Sequence, residues 1–208
     1  MHTYAVIDFE TTGLSQEFDR IIEVGVVLVR HHQVVDTFSE LMNPGQQIPS
    51  FITELTGITT AMVKGKPAPE SVMPKIAAII GDNPCIAHNA SFDQRFFNAE
   101  MRRAGIGCHP PFLCSMLLAR RLIQDAQDHK LGNLINHLGL PRADGMRAHR
   151  ALADCLMTAE LWKYLMQAIS SYLPGYQPDT DFIAKLNRVQ KAGVKTFLQQ
   201  QSAARLSH

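Results

Sequence analysis

Four acidic residues and one histidine are distributed over three short segments whose residue types suit metal binding. Asp8 and Glu10 lie in VIDFETTG, Asp93 lies in AHNASFD, and His149 and Asp154 lie in HRALAD. Carboxylate oxygens are the hard ligands that Mg²⁺ or Mn²⁺ prefers, and four carboxylates match the charge of two divalent ions better than that of one. The sequence therefore predicts that Asp8, Glu10, Asp93 and Asp154 hold two metal ions.

Such a site would act on a phosphodiester. Two ions about 3.5 to 4 Å apart hold the attacking water and the leaving oxygen of an in-line phosphoryl displacement. His149 is the expected general base, because an unperturbed histidine pKa of about 6.5 permits proton transfer near neutrality. Five helical residues would turn it about 140° away from Asp154, so His149 is placed on the loop or first turn before that helix.

The first segment reads as a buried strand, residues 4–7, that runs into a turn at residues 11–13. Alternation along a strand puts Asp8 and Glu10 on one side and Phe9 in the core. Adjacent carboxylates repel each other, so the pair needs either a cation or a raised pKa. Alone, this pair is equally consistent with a solvated strand edge.

The second segment predicts a strand at residues 85–88 and then a helix capped by Ser91, with Asp93 in its first turn. An acid at that position is also favoured by the helix dipole without any catalysis. The third segment begins another helix, with Asp154 near its start.

The fold class predicted from these patterns is α/β: a mixed five-stranded sheet, with three antiparallel strands followed by two more, flanked by helices. The strands are expected at residues 4–7, 20–30, 33–42, 85–88 and 112–114. The helices are expected at residues 52–56, 69–80 and 93–104, and from Ser115, Lys130 and His149 onward.

These residues resemble the DEDDh class of the ribonuclease-H-like 3′–5′ exonucleases, over about residues 4–168. The wording VIDFETTGL, RIIEVGVVLV, LTGIT and HRALADC is most similar to the proofreading (epsilon) exonuclease group of bacterial DNA polymerase III. The resemblance implies a ribonuclease-H-like sheet, two divalent ions on the four carboxylates, and water activation by His149.

The resemblance also implies contacts with the end of a strand. The backbone at Thr11 would meet the terminal 3′-hydroxyl, and Leu14 and Leu55 would form an apolar wedge beside the last base. Thr56 stands where typical relatives carry a histidine. Both leucines are equally consistent with core positions.

Three further positions, His88, Asn89 and Phe92, resemble residues that line the path of the terminal nucleotides. Asn89 also suits a turn whose side chain bonds the backbone, and Phe92 suits the buried face of a helix. Glu23, inside RIIEVGVVLV, is either a partner near the site or an acid on the exposed side of its strand.

The function implied is release of nucleoside 5′-monophosphates from single-stranded or frayed DNA 3′ ends. Two alternatives stay open: an enzyme that trims RNA 3′ ends, and a non-enzymatic module that grips 3′ ends or docks on a DNA polymerase. An intact set of ligands and base speaks against the module. RNA and DNA would be distinguished near Thr11 and Leu14, where the shape of the site would sense the 2′-hydroxyl of the sugar.

The net charge of +1 argues against a broad basic surface that binds long duplex nucleic acid. Arginines are nevertheless concentrated in the second half of the chain, where some are candidates for lining a route to the site. They are Arg95, Arg102, Arg103, Arg120, Arg121, Arg142, Arg147 and Arg150.

The rest of the sequence predicts an exonuclease domain at residues 1–172 and a Pro/Gly-containing linker with a short helical tail at residues 173–208, with few large apolar anchors. Cys85, Cys108, Cys114 and Cys155 form no CxxC pair and are expected to be reduced thiols. No secretion signal or membrane span is evident, so a cytoplasmic location is expected.

Overall fold

The computed structural model describes residues 3–142 and 150–206. Its centre is a five-stranded sheet in the order β3-β2-β1-β4-β5. The first three strands pair antiparallel, and β4 and β5 are added parallel to β1. The strands are β1 (Thr3–Thr11), β2 (Ile21–Arg30), β3 (Gln33–Leu41), β4 (Cys85–Ala87) and β5 (Phe112–Cys114).

Nine α-helices lie in the described residues, and a short 3₁₀ turn precedes the last of them. They are α1 (Ser50–Thr56), α2 (Thr60–Val63), α3 (Pro69–Ile80), α4 (Ala90–Arg103), α5 (Ser115–Leu122), α6 (Leu131–His137), α7 (Ala151–Tyr172), α8 (Thr180–Arg188) and α9 (Val194–Leu206).

The predicted mixed sheet is confirmed, with four local differences. Ser91 does not cap α4: the helix begins at Ala90, and its N-cap is Asn89, whose backbone is left-handed at φ 73°. The strand expected at residues 85–88 ends at Ala87, and the helix expected from His149 begins at Ala151 among the described residues. The short helix α2 was not predicted.

The sheet separates two apolar clusters. Tyr4 and Val6 face the cluster formed with α5 to α9, whereas Ala5, Ile7 and Phe9 face the cluster formed with α3 and α4. Because side chains alternate along a strand, Asp8 and Glu10 continue the row of Tyr4 and Val6. The two acids therefore point to the face of the sheet that α7 covers.

Close packing of α7 on this face depends on Gly25 of β2, the residue that pairs with Asp8. A Cβ atom at Gly25 would overlap the carbonyl group of Ala151 and the nitrogen of Leu152. Cys155, one turn further along α7, donates its thiol to the Gly25 carbonyl at 3.2 Å. The first turn of α7 thus lies directly against the backbone of β2, beside β1.

The tail is helical, and it packs more firmly than expected. Phe182, Ile183 and Leu186 of α8 and Leu198 of α9 are all buried in the same cluster as α7. The expectation of few large apolar anchors is therefore wrong, because these side chains recur at helical spacing on one face. The boundary at residues 172/173 stays a sequence-based prediction. Within the described residues, no helix combines the length and apolar character needed to cross a bilayer.

Candidate metal and nucleotide site

Three carboxylates meet at the C-terminal half of β1. Ligand oxygens of Asp8, Glu10 and Asp154 all lie within 4.8 Å of one another, and all three side chains are partly buried. Asp8 and Glu10 come from alternate positions of one strand, and Asp154 comes from the first turn of α7. This is a donor set of hard oxygens at a spacing that fits a divalent cation.

Asp93 reaches the same region from the other face of the sheet. It lies in the first turn of α4, is buried, and accepts a hydrogen bond from the backbone N–H of Phe9 at 3.2 Å. The N–H of Phe9 points towards the β4 side of β1, as that of Ala5 does. Because β4 ends at Ala87, Phe9 has no strand partner there, and the carboxylate of Asp93 supplies the acceptor.

The electrostatics of the cluster favour a cation. Burial, and then the charges of Asp93, Glu10 and Asp154, hold the pKa of Asp8 well above its usual range. Burial raises the pKa of Glu10 to about 8, with Asp154, Glu23 and Asp93 adding to the effect. Burial also raises the pKa of Asp93 to about 8, although its bond from Phe9 opposes the shift. Ionised together, these groups need positive charge between them.

Glu23 is buried and does not lie on an exposed strand side. It pairs with Glu10 across β1 and β2, and it binds the guanidinium of Arg150 through both oxygens. The N–H of Ala151 also donates to Glu23, at 3.0 Å. Glu23 therefore anchors the N-terminus of α7 one turn before Asp154. The sequence signal for a buried role of Glu23 was its position as a lone acid within an apolar central strand. No sequence signal identified Arg150, 127 residues away, as its partner.

A cavity of about 470 Å³ opens beside Asp154. His88, Asn89, Lys130, Asn133 and Met157 are among its lining residues. The cavity thus combines a cation, amide groups and apolar surface next to the carboxylate cluster. Lys130 and Asn133 were not singled out from the sequence, because a lysine and an asparagine at the start of a short helix are ordinary surface residues.

The ring of His88 is held on both sides. Its Nδ1 lies 2.9 Å from Ser115 Oγ, and its Nε2 lies 2.8 Å from the backbone oxygen of His129. Burial lowers the pKa of His88 to about 4, so the ring is neutral at physiological pH. In this structure, His88 joins β4 to α5 and to the loop before α6. Its fixed ring forms part of the cavity wall.

The two leucines expected to form a wedge are exposed, at 78% for Leu14 and 49% for Leu55, so the core interpretation of them is wrong. Phe92 is partly buried against Phe96, with ring centroids 5.0 Å apart. Thr11 is buried and donates its hydroxyl to the Gly13 carbonyl at 2.6 Å.

Thr56 is also buried. Its hydroxyl donates to the Ile52 carbonyl at 2.9 Å and accepts from the N–H of Ile58 at 3.0 Å. Both bonds stay within the α1 region. The predicted general base, His149, lies outside the described residues, as does Arg147.

Comparison with known proteins identifies relatives of this chain. The sequence profile of the exonuclease family (RNase_T) matches residues 5–162. The DNA polymerase III subunit epsilon of Aquifex aeolicus is 33% identical over 168 residues, which cover 80% of this chain and 82% of that protein. A PolC-type DNA polymerase III of Clostridium perfringens is 39% identical over 161 residues, but this chain matches only 11% of its length.

Solved structures share the architecture. Exonuclease X, in complex with 5′-overhanging duplex DNA, superposes with a TM-score of 0.70 at 30% identity, covering 88% of this chain and 99% of that one. The nuclease domain of 3′hExo, a DEDDh family member bound to rAMP, superposes with a TM-score of 0.67 at 23% identity, covering 80% and 92%. The ribonuclease-H-like sheet expected from the sequence is thereby confirmed. With most of its length matched by the family profile and by a relative of similar size, the chain belongs to the exonuclease family.

Proposed function

We propose that this chain is a metal-dependent 3′–5′ exonuclease that removes nucleoside 5′-monophosphates from single-stranded or frayed DNA ends. The observation that carries the proposal is the meeting of Asp8, Glu10 and Asp154 within 4.8 Å beside a cavity of nucleotide size. The choice of DNA rests on the similarity to epsilon and PolC-type polymerase subunits, which also suggests a polymerase as partner.

Asp8, Glu10 and Asp154, with Asp93 beside them, would hold two Mg²⁺ or Mn²⁺ ions. The raised pKa values of Asp8 and Glu10 fit this assignment, because mutual repulsion is relieved when cations are present. When bound, such ions polarise the phosphate and help make the attacking water acidic.

The protein's own groups have separate tasks in this scheme. Asp93 uses one oxygen to hold the Phe9 backbone, and so fixes the strand that bears Asp8 and Glu10. The cavity beside Asp154, with Lys130 and Asn133 in its wall, receives the terminal nucleotides. His149 remains the proposed general base on its sequence position, five residues before Asp154.

Leu14 and Leu55 are proposed to contact the terminal bases, since both are large, apolar and exposed. Thr11, Asn89 and Phe92 are proposed to border the terminal nucleotides through their positions next to the cluster, at the end of β1 and the start of α4. We leave the Thr56 side chain out of the proposal because its hydroxyl is buried and already bonded.

The test is a product ladder. The purified chain is incubated with DNA and RNA oligonucleotides of one sequence, labelled at the 5′ end, in Mg²⁺, Mn²⁺ or a chelator. We expect stepwise shortening of DNA in either metal, release of nucleoside 5′-monophosphates, and no reaction in chelator. Faster shortening of RNA than of DNA would make RNA the preferred substrate. Binding without shortening would favour the end-gripping module.

Variants assign the ligands. Asp8→Ala and Asp154→Ala should each abolish shortening while the circular dichroism spectrum stays that of the unmodified chain. Asp36→Asn is the matched control, because Asp36 is an exposed carboxylate on the edge strand β3. Full activity in either alanine variant would remove that residue from the site.

A further inference from the structure

The exposed face of α4, the helix whose first turn holds Asp93, carries a row of polar side chains. Asp93 points into the cluster from the first turn, whereas Arg95, Asn98 and Arg102 lie on the outer face at offsets of three and four residues. Seven residues separate the two arginines, so they are about 10.5 Å apart along the helix axis. We call Arg95, Asn98 and Arg102 the α4 stripe.

Two surface grooves meet on this stripe. One, of about 290 Å³, lies between Arg95 and the loop at Gln16 and Glu17. The other, of about 490 Å³, extends past the end of α4 to His109. Asn98 and Arg102 line both grooves, so the two grooves adjoin along the helix, and we refer to the pair as the channel.

The loop wall of the channel is held in place by other arginines. Arg103 donates to the Gln16 and Glu17 carbonyls at 2.8 and 3.2 Å and to Glu100 at 2.9 Å. Arg20 donates to the same Glu100 carboxylate at 2.7 Å, and Glu100 is fully buried. These two arginines are therefore committed to an internal acid.

The stripe arginines differ from them in this respect. Arg95 donates its Nε to the Ser91 carbonyl at 3.1 Å, and neither Arg95 nor Arg102 forms an ion pair within the part of the chain that the structure describes. The residues that line the channel include three arginines and one acidic residue, Glu17. A chain with a net charge of +1 thus concentrates cations on one surface of the helix whose first turn holds Asp93.

The same loop also presents apolar surface. Leu14 and Phe18 are 78% and 79% exposed, although the loop backbone is fixed by bonds from Ser15 and Gln46. Guanidinium groups for phosphates beside exposed apolar side chains for bases are the usual means of holding a single strand without regard to its sequence.

We propose that the α4 stripe and the adjoining loop bind the phosphodiester backbone of the substrate beyond its terminal nucleotides. This inference rests on the proposed exonuclease function and adds to it a second binding region, about two helical turns long. The ligand chemistry is a row of nucleic-acid phosphates. They belong either to the strand being shortened or to a complementary strand.

The test compares the double variant Arg95→Gln/Arg102→Gln with the unmodified chain. The control is Arg188→Gln/Lys195→Gln, which removes two exposed cations from α8 and α9 on the other face of the sheet. Single-stranded DNA is supplied as a dinucleotide, a tetramer, an octamer and a dodecamer, and KM is measured over a series of salt concentrations.

For the dodecamer we expect KM to rise about tenfold or more in the stripe variant, with a weaker salt dependence, because about two phosphate contacts are lost. KM for the dinucleotide should not change, and neither should any value for the control. A hairpin with a recessed 3′ end separates the two sources: a loss on single strand and hairpin alike assigns the stripe to the shortened strand, and a loss on the hairpin alone assigns it to the complement.

A one-phosphate substrate keeps this inference separate from the proposed function. Hydrolysis of the p-nitrophenyl ester of thymidine 5′-monophosphate requires the carboxylate cluster but no extended strand. The stripe variant should hydrolyse it at the unmodified rate. The inference would be overturned if the stripe variant matched the KM of the unmodified chain on every single-strand length and on the hairpin, or if it lost activity equally on this ester. An inert unmodified chain would instead overturn the proposed function.

Discussion

Glu23 and Arg150 form a two-pronged ion pair that joins β2 to the helix that carries Asp154. Arg150 Nη2 lies 2.6 Å from Glu23 Oε1, and its Nε lies 3.0 Å from both carboxylate oxygens. The same carboxylate accepts the N–H of Ala151. One buried acid therefore fixes where α7 begins.

Glu23→Gln should weaken this anchor without changing side-chain size. We expect the free energy of unfolding to fall by about 1 to 3 kcal/mol, because the amide has one acceptor oxygen where the carboxylate has two and carries no charge to pair with Arg150. We expect kcat to fall about tenfold, since Asp154 loses its fixed position. Urea denaturation and steady-state kinetics measure the two effects, with Glu40→Gln on β3 as the control. Reduced stability with unchanged kcat would make the pair purely structural.

Gly25→Ala should separate α7 from the sheet. The added Cβ overlaps the backbone of Ala151 and Leu152, which cannot yield as a side-chain tip can. Overpacking of this kind costs about 1 to 3 kcal/mol. Gly132→Ala is the matched control, because a Cβ there meets nothing within 4 Å and α6 should gain about 0.5 to 1 kcal/mol. Equal melting temperatures for the two variants would contradict the close approach.

Asp8→Asn should make the metal-free protein more stable. Burial and four neighbouring carboxylates disfavour ionised Asp8, so the neutral amide relieves repulsion at pH 8. We expect a gain of about 1 kcal/mol in chelator, seen as a rise of about 2 to 4 °C in melting temperature. Mg²⁺ should raise the melting temperature of the unmodified chain but not of the variant. A lower melting temperature for Asp8→Asn in chelator would contradict the repulsion.

His88 should make stability fall at acid pH. Its pKa is lowered to about 4 in the folded chain, whereas an unfolded histidine binds a proton near pH 6.5. Between these values the unfolded state holds more protons, so the free energy of unfolding decreases as pH falls, by roughly 3 kcal/mol in total.

His88→Gln should reduce the decrease in the free energy of unfolding at acid pH, and it should also lose the bonds to Ser115 and His129. Chemical denaturation at several pH values between neutrality and pH 4 measures the slope. His109→Gln, at an exposed histidine, is the control and should keep it. An unchanged slope in His88→Gln would assign the acid sensitivity to other groups.

Local periodicity accounts for the part of this site that was predictable. The alternation of β1 places Asp8 and Glu10 together with Phe9 opposite, and helix starts place Asp93 and Asp154 in first turns. The positions of the five strands along the sequence also followed from apolar runs and their lengths. These features depend on residues close together in the sequence.

Contacts between residues that are far apart in the sequence were harder to predict. The Glu23–Arg150 pair and the Gly25–Ala151 contact join positions more than a hundred residues apart, and no local pattern reports them. Ser91 was expected to cap α4 because its residue type suits a cap, but the helix is capped two residues earlier, by Asn89 with its left-handed backbone. The apolar side chains of α8 were underrated because their burial depends on α7 being present.

The bond between the Phe9 N–H and Asp93 gives the site a spectroscopic signal of its own. Phe9 lies on the central strand, and its amide proton is held by a carboxylate of the cluster. Any ion that draws charge from Asp93 alters the shielding of that proton, although Phe9 itself touches no ligand. In an amide nuclear magnetic resonance spectrum, the Phe9 resonance would therefore follow metal occupancy directly, without added nucleic acid and without turnover.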